Sequence, residues 1–277
     1  MKKATLEGLF SATMAFLKAN WLAMIAMIVG VCVVSGVLGY LMLGSFFSMA
    51  MAGGTPDPTV ILAMMGQFAL VYLIVMVLLY AASLSIWRHG MTNGQDGIAQ
   101  NIGWALLGGL TLMLLYIGLF IALYIAMIVV VLILVAIVGG GIGAFGQGGF
   151  SPQNVAGPAI AFVVVLYLAF IVAMLWVAAR LSIIGPVMAA QRTVNPITGL
   201  AQSWSLTKAS QWTLVGFFVL VAIASTVALL VLVLVLGPLQ IPALVLLPYV
   251  PLWLFWWAVP PGIYAQVAAP DRGPVFQ

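Results

Sequence analysis

Charge is the scarcest commodity in this chain. Of 277 residues, eight are Lys or Arg and four are Asp or Glu, so 4% are charged while 66% are hydrophobic. A soluble domain is about one quarter charged. Folded in water, this composition would expose apolar surface everywhere; in a bilayer it is the solvated state. Cysteine is as rare. Cys32 stands alone in the first apolar run, which excludes an intrachain disulfide and a thiolate metal cluster. Val31 before it is not the small residue of a lipoprotein signal, so Cys32 reads as a small apolar filler. Histidine occurs once, as His89, and the acids are Glu7, Asp57, Asp96 and Asp271, all outside the apolar runs. Metal-assisted hydrolysis needs several such groups converging on one site. Ion-coupled transport needs an ionisable group inside the membrane, and Gln67 is the most embedded strongly polar side chain here. No catalytic, cofactor-binding or metal-binding residue is expected. The net charge of +4 forms no basic field of the size nucleic acid requires.

What the chain does have is long apolar runs. A crossing takes about 20 mostly apolar residues. Six runs qualify, at about 21–43, 59–87, 104–138, 158–184, 212–236 and 243–264. The run at 104–138 is long for one upright crossing, yet no polar or Pro residue supplies a hairpin inside it. One long or kinked helix is the reading, with Tyr116 to Gly118 as its weak point. The last run carries Pro248, Pro251, Pro260 and Pro261 and is expected to be kinked or partly unwound. Between the runs, Gly44 to Pro58, Arg88 to Gly97 and Gly139 to Gly149 read as loops. The third contains GxGxxG at Gly141, Gly143 and Gly146. A dinucleotide site needs a strand before that motif and a helix after it; here an apolar helix precedes it, so it reads as a flexible, uncharged loop. Met1-Lys2-Lys3 resembles the start of a signal peptide, but Glu7 and Lys18 interrupt it and the run from Trp21 is too long, which predicts an uncleaved first span.

The basic residues sort by gap. Lys2, Lys3 and Lys18 precede the first span and Arg88 follows the second. Arg180, Arg192 and Lys208 lie in or beside the fourth loop, and Arg272 in the C-terminal tail. Cytoplasmic segments retain Lys and Arg, so both termini and the even-numbered loops are expected on the cytoplasmic side.

Two segments outside the spans read as interfacial elbow helices. At about 3–19, Leu6, Leu9, Phe10, Met14 and Leu17 share a face. At about 196–209, Asn195 is a suitable N-cap, Pro196 a suitable first residue, and Ile197, Leu200, Ala201 and Trp204 recur at helical spacing. The fold class is therefore an all-α integral membrane protein: six transmembrane helices, two cytoplasmic interfacial elbow helices and one membrane domain. A faint repeat sets Gly8-Leu9 and Lys18-Ala19-Asn20-Trp21 beside Gly199-Leu200 and Lys208-Ala209-Ser210-Gln211-Trp212, with Trp104 as a third anchor.

Arg180-Leu181-Ser182-Ile183-Ile184-Gly185-Pro186, followed by Gly199-Leu200-Ala201-Gln202-Ser203-Trp204-Ser205-Leu206-Thr207-Lys208, resembles the R-L-S-x-x-x-P … A-L-x-x-S-W-x-L-T-K signature of the glycerophosphoryl diester phosphodiesterase membrane domain and the related YciC-like inner-membrane proteins. The resemblance implies a six-helix protein of the bacterial inner membrane whose biochemical role is unsettled. An acidic residue common after the Arg-to-Pro segment is replaced here by Gln191-Arg192. Arg180, Pro186, Ser203, Trp204 and Lys208 become the candidate structural and docking residues: Trp204 buried against the bundle, Arg180 bonded to backbone or polar groups of the fourth loop. The function expected is non-enzymatic: scaffolding, or accessory to envelope and lipid organisation. Its partners would be membrane lipids and a membrane or cytoplasmic protein. The alternative is a transporter or lipid-handling protein with a cavity near the kinked sixth helix, where Trp253, Trp256 and Trp257 cluster.

Overall fold

A computed structural model describes residues 3–51, 57–145, 152–236 and 249–268. Everything regular in them is helix. In order these are α1 (Leu6–Met51), α2 (Pro58–Met91), α3 (Ile98–Phe145), α4 (Pro152–Leu181), the short α5 (Ile184–Gln191) and α6 (Pro196–Leu206). A 3-10 turn at Lys208–Ser210 leads into α7 (Gln211–Leu236), and α8 (Tyr249–Ala268) ends the series. Among the described residues, five stretches are long and apolar enough to cross a membrane: Leu6–Gly44, Thr59–Met91, Ile98–Ile133, Val164–Gln191 and Lys208–Val235. The molecule is a multi-pass membrane protein in build. The Trp, Pro and Gln content of α8 keeps it out of that set.

Several sequence expectations are corrected here. The first elbow is not a separate helix: α1 runs unbroken from Leu6 to Met51. At 1.5 Å per residue it is about 69 Å long, against a hydrocarbon core of ~30 Å. The first predicted loop shrinks, because Gly44 to Met51 is helical; Gly53 to Pro56 lie outside the described residues. The second begins late, since Arg88 to Met91 complete α2. There Asn93 (φ 49°) and Gly94 (φ 78°) turn the chain, closed by Gln95 N–H donating to Thr92 C=O at 3.0 Å; positive φ at both central residues suits Asn-Gly. In the third, Gly139 to Phe145 extend α3, and Gly146 to Gly149 lie outside the described residues. With no water to accept stray backbone groups, continuing a helix outweighs the cost of its glycines. Run 104–138 thus sits inside one helix. The last run is not unwound over its described part: α8 passes through Pro260 and Pro261. Pro261 cannot donate to the Trp257 carbonyl four residues back. Trp87 Nε1 donates to that carbonyl instead, at 3.0 Å.

The helices pack at one end and part at the other. Phe16 and Met24 of α1, Leu84 and Ile86 of α2, Leu112 of α3, Met188 of α5 and Ala258 of α8 are fully or almost fully buried in one cluster. Leu9, Ile183, Val187, Leu214 and Ile263 fill a second beside it. Toward the far ends many side chains face outward: Val33, Leu62, Phe120, Leu132, Val165 and Leu234 are exposed, while Leu43 of α1 and Met64 of α2 stay buried. Close approach at the packed end relies on glycine. A Cβ on Gly262 would lie 2.7 Å from the Thr13 backbone, and one on Gly109 would lie 2.7 Å from Ala81 N. Small residues of this kind let membrane helices touch backbone to backbone.

Sequence reading missed α5 and treated it as loop. Its Ile184 to Ala189 are all buried, wedged beneath α2, α6 and α8. Arg88 holds its far end: Nη1 donates to the carbonyls of Ala189 (3.1 Å) and Ala190 (2.8 Å), while Nε bonds Asp96. Such carbonyls at a helix terminus lack intrahelical donors; the Ala189 carbonyl also takes the Arg192 N–H at 3.4 Å.

Candidate functional site

The candidate residues gather where α4 ends, and α6 lies across it. Asn195 caps α6, its Oδ1 accepting from Ile197 N at 3.0 Å, so this elbow is a helix in its own right. Its buried face is narrow. Gly199 sits against Ile184 and Met188 of α5, and Ser203 and Thr207 are fully buried. Ser203 Oγ donates to the Arg180 carbonyl at 2.6 Å, and Thr207 Oγ1 donates to the Ser203 carbonyl at 2.6 Å. The first bond pins α6 to the end of α4, and the second closes the last turn of α6 itself.

The Arg180 side chain departs from expectation. It is 3% exposed, yet its Nε and Nη1 have no hydrogen-bond partner. Instead of bonding the fourth loop, the guanidinium lies over two indoles, 4.4 Å from the Trp204 ring centre and 5.9 Å from that of Trp176. The rings meet edge to face, 5.3 Å apart. Among the described residues the ion pair is Arg88 with Asp96; no acid serves Arg180. Trp204 is not buried against the bundle either: 40% of it remains exposed, because it covers Arg180 from outside. Pro186 is buried in the first turn of α5, where a missing N–H costs nothing. Lys208 is exposed in the 3-10 turn. The structure therefore joins Arg180, Ser203 and Trp204, and leaves Pro186 and Lys208 outside their contact. Trp176 and Gln211 were missed. Trp176 Nε1 donates to Gln211 Oε1 at 3.2 Å. The signal was present, since Trp176 precedes Arg180 by four residues, the helical neighbour spacing.

Among the described residues, three apolar crevices open between the helices. One of 630 Å³ lies among α2, α3 and α4, with Tyr72, Tyr80, Tyr116, Phe120 and Met174 on its walls. Another of 520 Å³ is bounded by Phe10 of α1, Phe217 and Leu220 of α7, and Phe255 of α8. A third of 390 Å³ lies between α1, α2 and α8, lined by Cys32, Ser35, Ser83, Trp253 and Trp257. Their volumes fall in the range of ordinary ligand pockets. Their rims face outward: Tyr72 is 63%, Phe120 70% and Trp253 58% exposed.

No family model, curated protein or solved structure matches this chain.

Remaining polar groups fall outside this cluster. His89 Nδ1 sits 3.2 Å from the Asp96 carbonyl, in the turn that holds Arg88. Asp57 caps α2, and the Thr59 hydroxyl and N–H bonded to its carboxylate hold it below the usual carboxylate range. Among the described residues no three His, Cys, Asp or Glu side chains come together.

Proposed function

We propose that this chain is a non-enzymatic multi-pass protein of the bacterial inner membrane, related to the glycerophosphoryl diester phosphodiesterase membrane domain, that organises lipid locally and assists other envelope components. Its basic, packed end faces the cytoplasm, as the distribution of Lys and Arg implies. Membrane lipids are its partners, with a membrane or cytoplasmic protein docking at the elbow. The observation that carries the reading is the contrast between the bundle's axis and its flanks. The bundle axis is filled by Phe16, Leu84, Ile86 and Met188, whereas the gaps between helices are apolar crevices open to the side. Such a shape suits acyl chains entering from the bilayer. The test pairs two measurements on purified protein in nanodiscs. Native mass spectrometry is expected to find retained phospholipid, and assays with phosphodiester and lipid substrates are expected to show no turnover. Turnover, or a protein stripped clean of lipid by mild detergent, sinks the reading.

A second reading, a transporter or lipid-handling protein, is favoured by one feature, the crevice beside Trp253 and Trp257 of α8. Trp257 Nε1 donates to Ser83 Oγ at 2.7 Å across it. Transfer of fluorescent lipid between vesicles, abolished by filling the crevice with Ser83→Phe, would move the choice to this reading.

A further inference from the structure

Among the described residues, the buried guanidinium of Arg180 is the strongly charged group whose electrostatics its surroundings do not complete. Its Nε and Nη1 are buried without partners, and neither an acid nor a backbone carbonyl is placed for them. Indole faces stabilise a cation, but they offer its N–H groups no anionic oxygen, and Nε and Nη1 stay without a hydrogen-bond partner. Taking an ion out of water is costly, and cation–π contacts recover only part of that cost. The arrangement lacks an anion.

We infer that the Arg180–Trp176–Trp204 cage is a binding site for the phosphate of an anionic phospholipid headgroup. The inference rests on the lipid-organising reading above and names the lipid chemistry it selects. Position supports a lipid as the source of the phosphate. Arg180 sits in the last turn of α4, at one end of a long apolar helix. Trp176, Trp204 and Trp212 ring that level, the last 64% exposed, and Trp favours the headgroup depth. Trp204 forms the outer wall of the cage and is itself 40% exposed, so a rotation of one side chain opens Arg180 to the interface. Lys208, exposed just beyond α6, adds a positive field that draws anionic lipid to the entrance. Arginine suits the task because its planar fork binds phosphate oxygens directionally and stays charged at any ambient pH.

The test uses the full chain in nanodiscs of equal phosphatidylglycerol and phosphatidylcholine with matched acyl chains, released into detergent and weighed intact. Wild type is expected to keep phosphatidylglycerol about tenfold over phosphatidylcholine: both carry a phosphate, but the choline ammonium offsets its charge, so only phosphatidylglycerol brings Arg180 a net anion, worth about one charge-assisted interaction. Arg180→Gln is expected to lose that preference while still retaining lipid of both kinds, and Arg180→Lys to keep part of it. Lys18→Gln removes the same charge from an exposed site on α1 and is expected to leave the preference intact. Equal retention of the two lipids by wild type overturns the site even if no variant folds, and leaves the lipid-organising reading standing. Retention of no lipid at all overturns that reading instead. Loss of preference in Lys18→Gln as large as in Arg180→Gln reduces the effect to net charge and overturns the site. Displacement of the retained lipid by 10 mM inorganic phosphate, a concentration chosen as roughly tenfold above an ordinary millimolar site, assigns the cage to a soluble anion and overturns the lipid assignment.

Discussion

Replacing Ser203 by alanine removes the hydroxyl that reaches the Arg180 carbonyl at 2.6 Å and strands a buried acceptor. The expected loss is about 1–3 kcal/mol of stability, read as a lower unfolding temperature in lipid micelles, while Ser203→Thr keeps the bond and most of the stability. Glycines give a contrasting pair. Gly262→Ala puts a methyl 2.7 Å from the Thr13 backbone and is expected to cost about 1–3 kcal/mol. Gly103→Ala meets open space and is expected to be neutral or slightly stabilising, since Ala is the better helix former. The motif drew attention to Arg180, Ser203 and Trp204, but their contacts were not readable in it, and Trp176 and Gln211 lie outside it. Trp204 reads as a core residue by spacing, and only the position of Arg180 beneath it explains its exposure. Likewise the buried stripe of α1 is Leu9, Thr13, Phe16, Asn20 and Met24, offset from the apolar stripe in the sequence. Thr13 and Asn20 can be buried because each bonds the carbonyl one turn back, Leu9 at 2.8 Å and Phe16 at 2.9 Å. A hydropathy pattern counts them as polar and assigns the wrong face.

At the scale of elements, apolar runs marked the long helices well, because a helix in a bilayer must satisfy its own backbone. Breaks were less legible. The Gly and Lys residues that signal stops in water did not stop α1 or α3, and the short α5 was hidden among loop residues because eight residues are too few for a hydropathy window. The docking of α5 depends on Arg88. Arg88→Leu is expected to cost about 1–3 kcal/mol, since the Ala190 carbonyl loses its Arg88 donor and the Ala189 carbonyl keeps only the Arg192 N–H at 3.4 Å. Asp96→Asn retains an acceptor for Nε and is expected to cost less than about 1 kcal/mol; thermal unfolding of the two variants side by side decides. The start of α2 responds to acid. The Asp57 carboxyl is held low by Thr59, so its cap is intact above the unfolded carboxyl pKa of about 3.9. It weakens as pH falls through the lower folded value. Hydrogen exchange is expected to show the first turn of α2 fraying under those acid conditions and holding firm at neutral pH.

At the scale of the whole molecule, composition gave the class and charge placement predicts an orientation, and neither could show that the bundle is tight at one end and loosens toward the other. Parting depends on which side chains meet, not on how apolar they are. Cys32 makes the difference measurable, since it is the chain's one cysteine and is exposed in the crevice between α1, α2 and α8. A nitroxide placed there is expected to be relaxed by oxygen, which concentrates in lipid, and spared by a water-soluble nickel complex. The reverse result would put that crevice in water. Packing at the tight end also has an order in time. The buried stripe of α1 closes on α8: Gly262 lies against Thr13, and Gln266 against Gly8. These partners are about 250 residues apart, which at ordinary translation rates is roughly 10–50 s of synthesis. For that interval the first helix waits in the membrane with its closest surface uncovered, so the nascent chain offers a binding face to insertion factors or proteases that the finished protein withdraws.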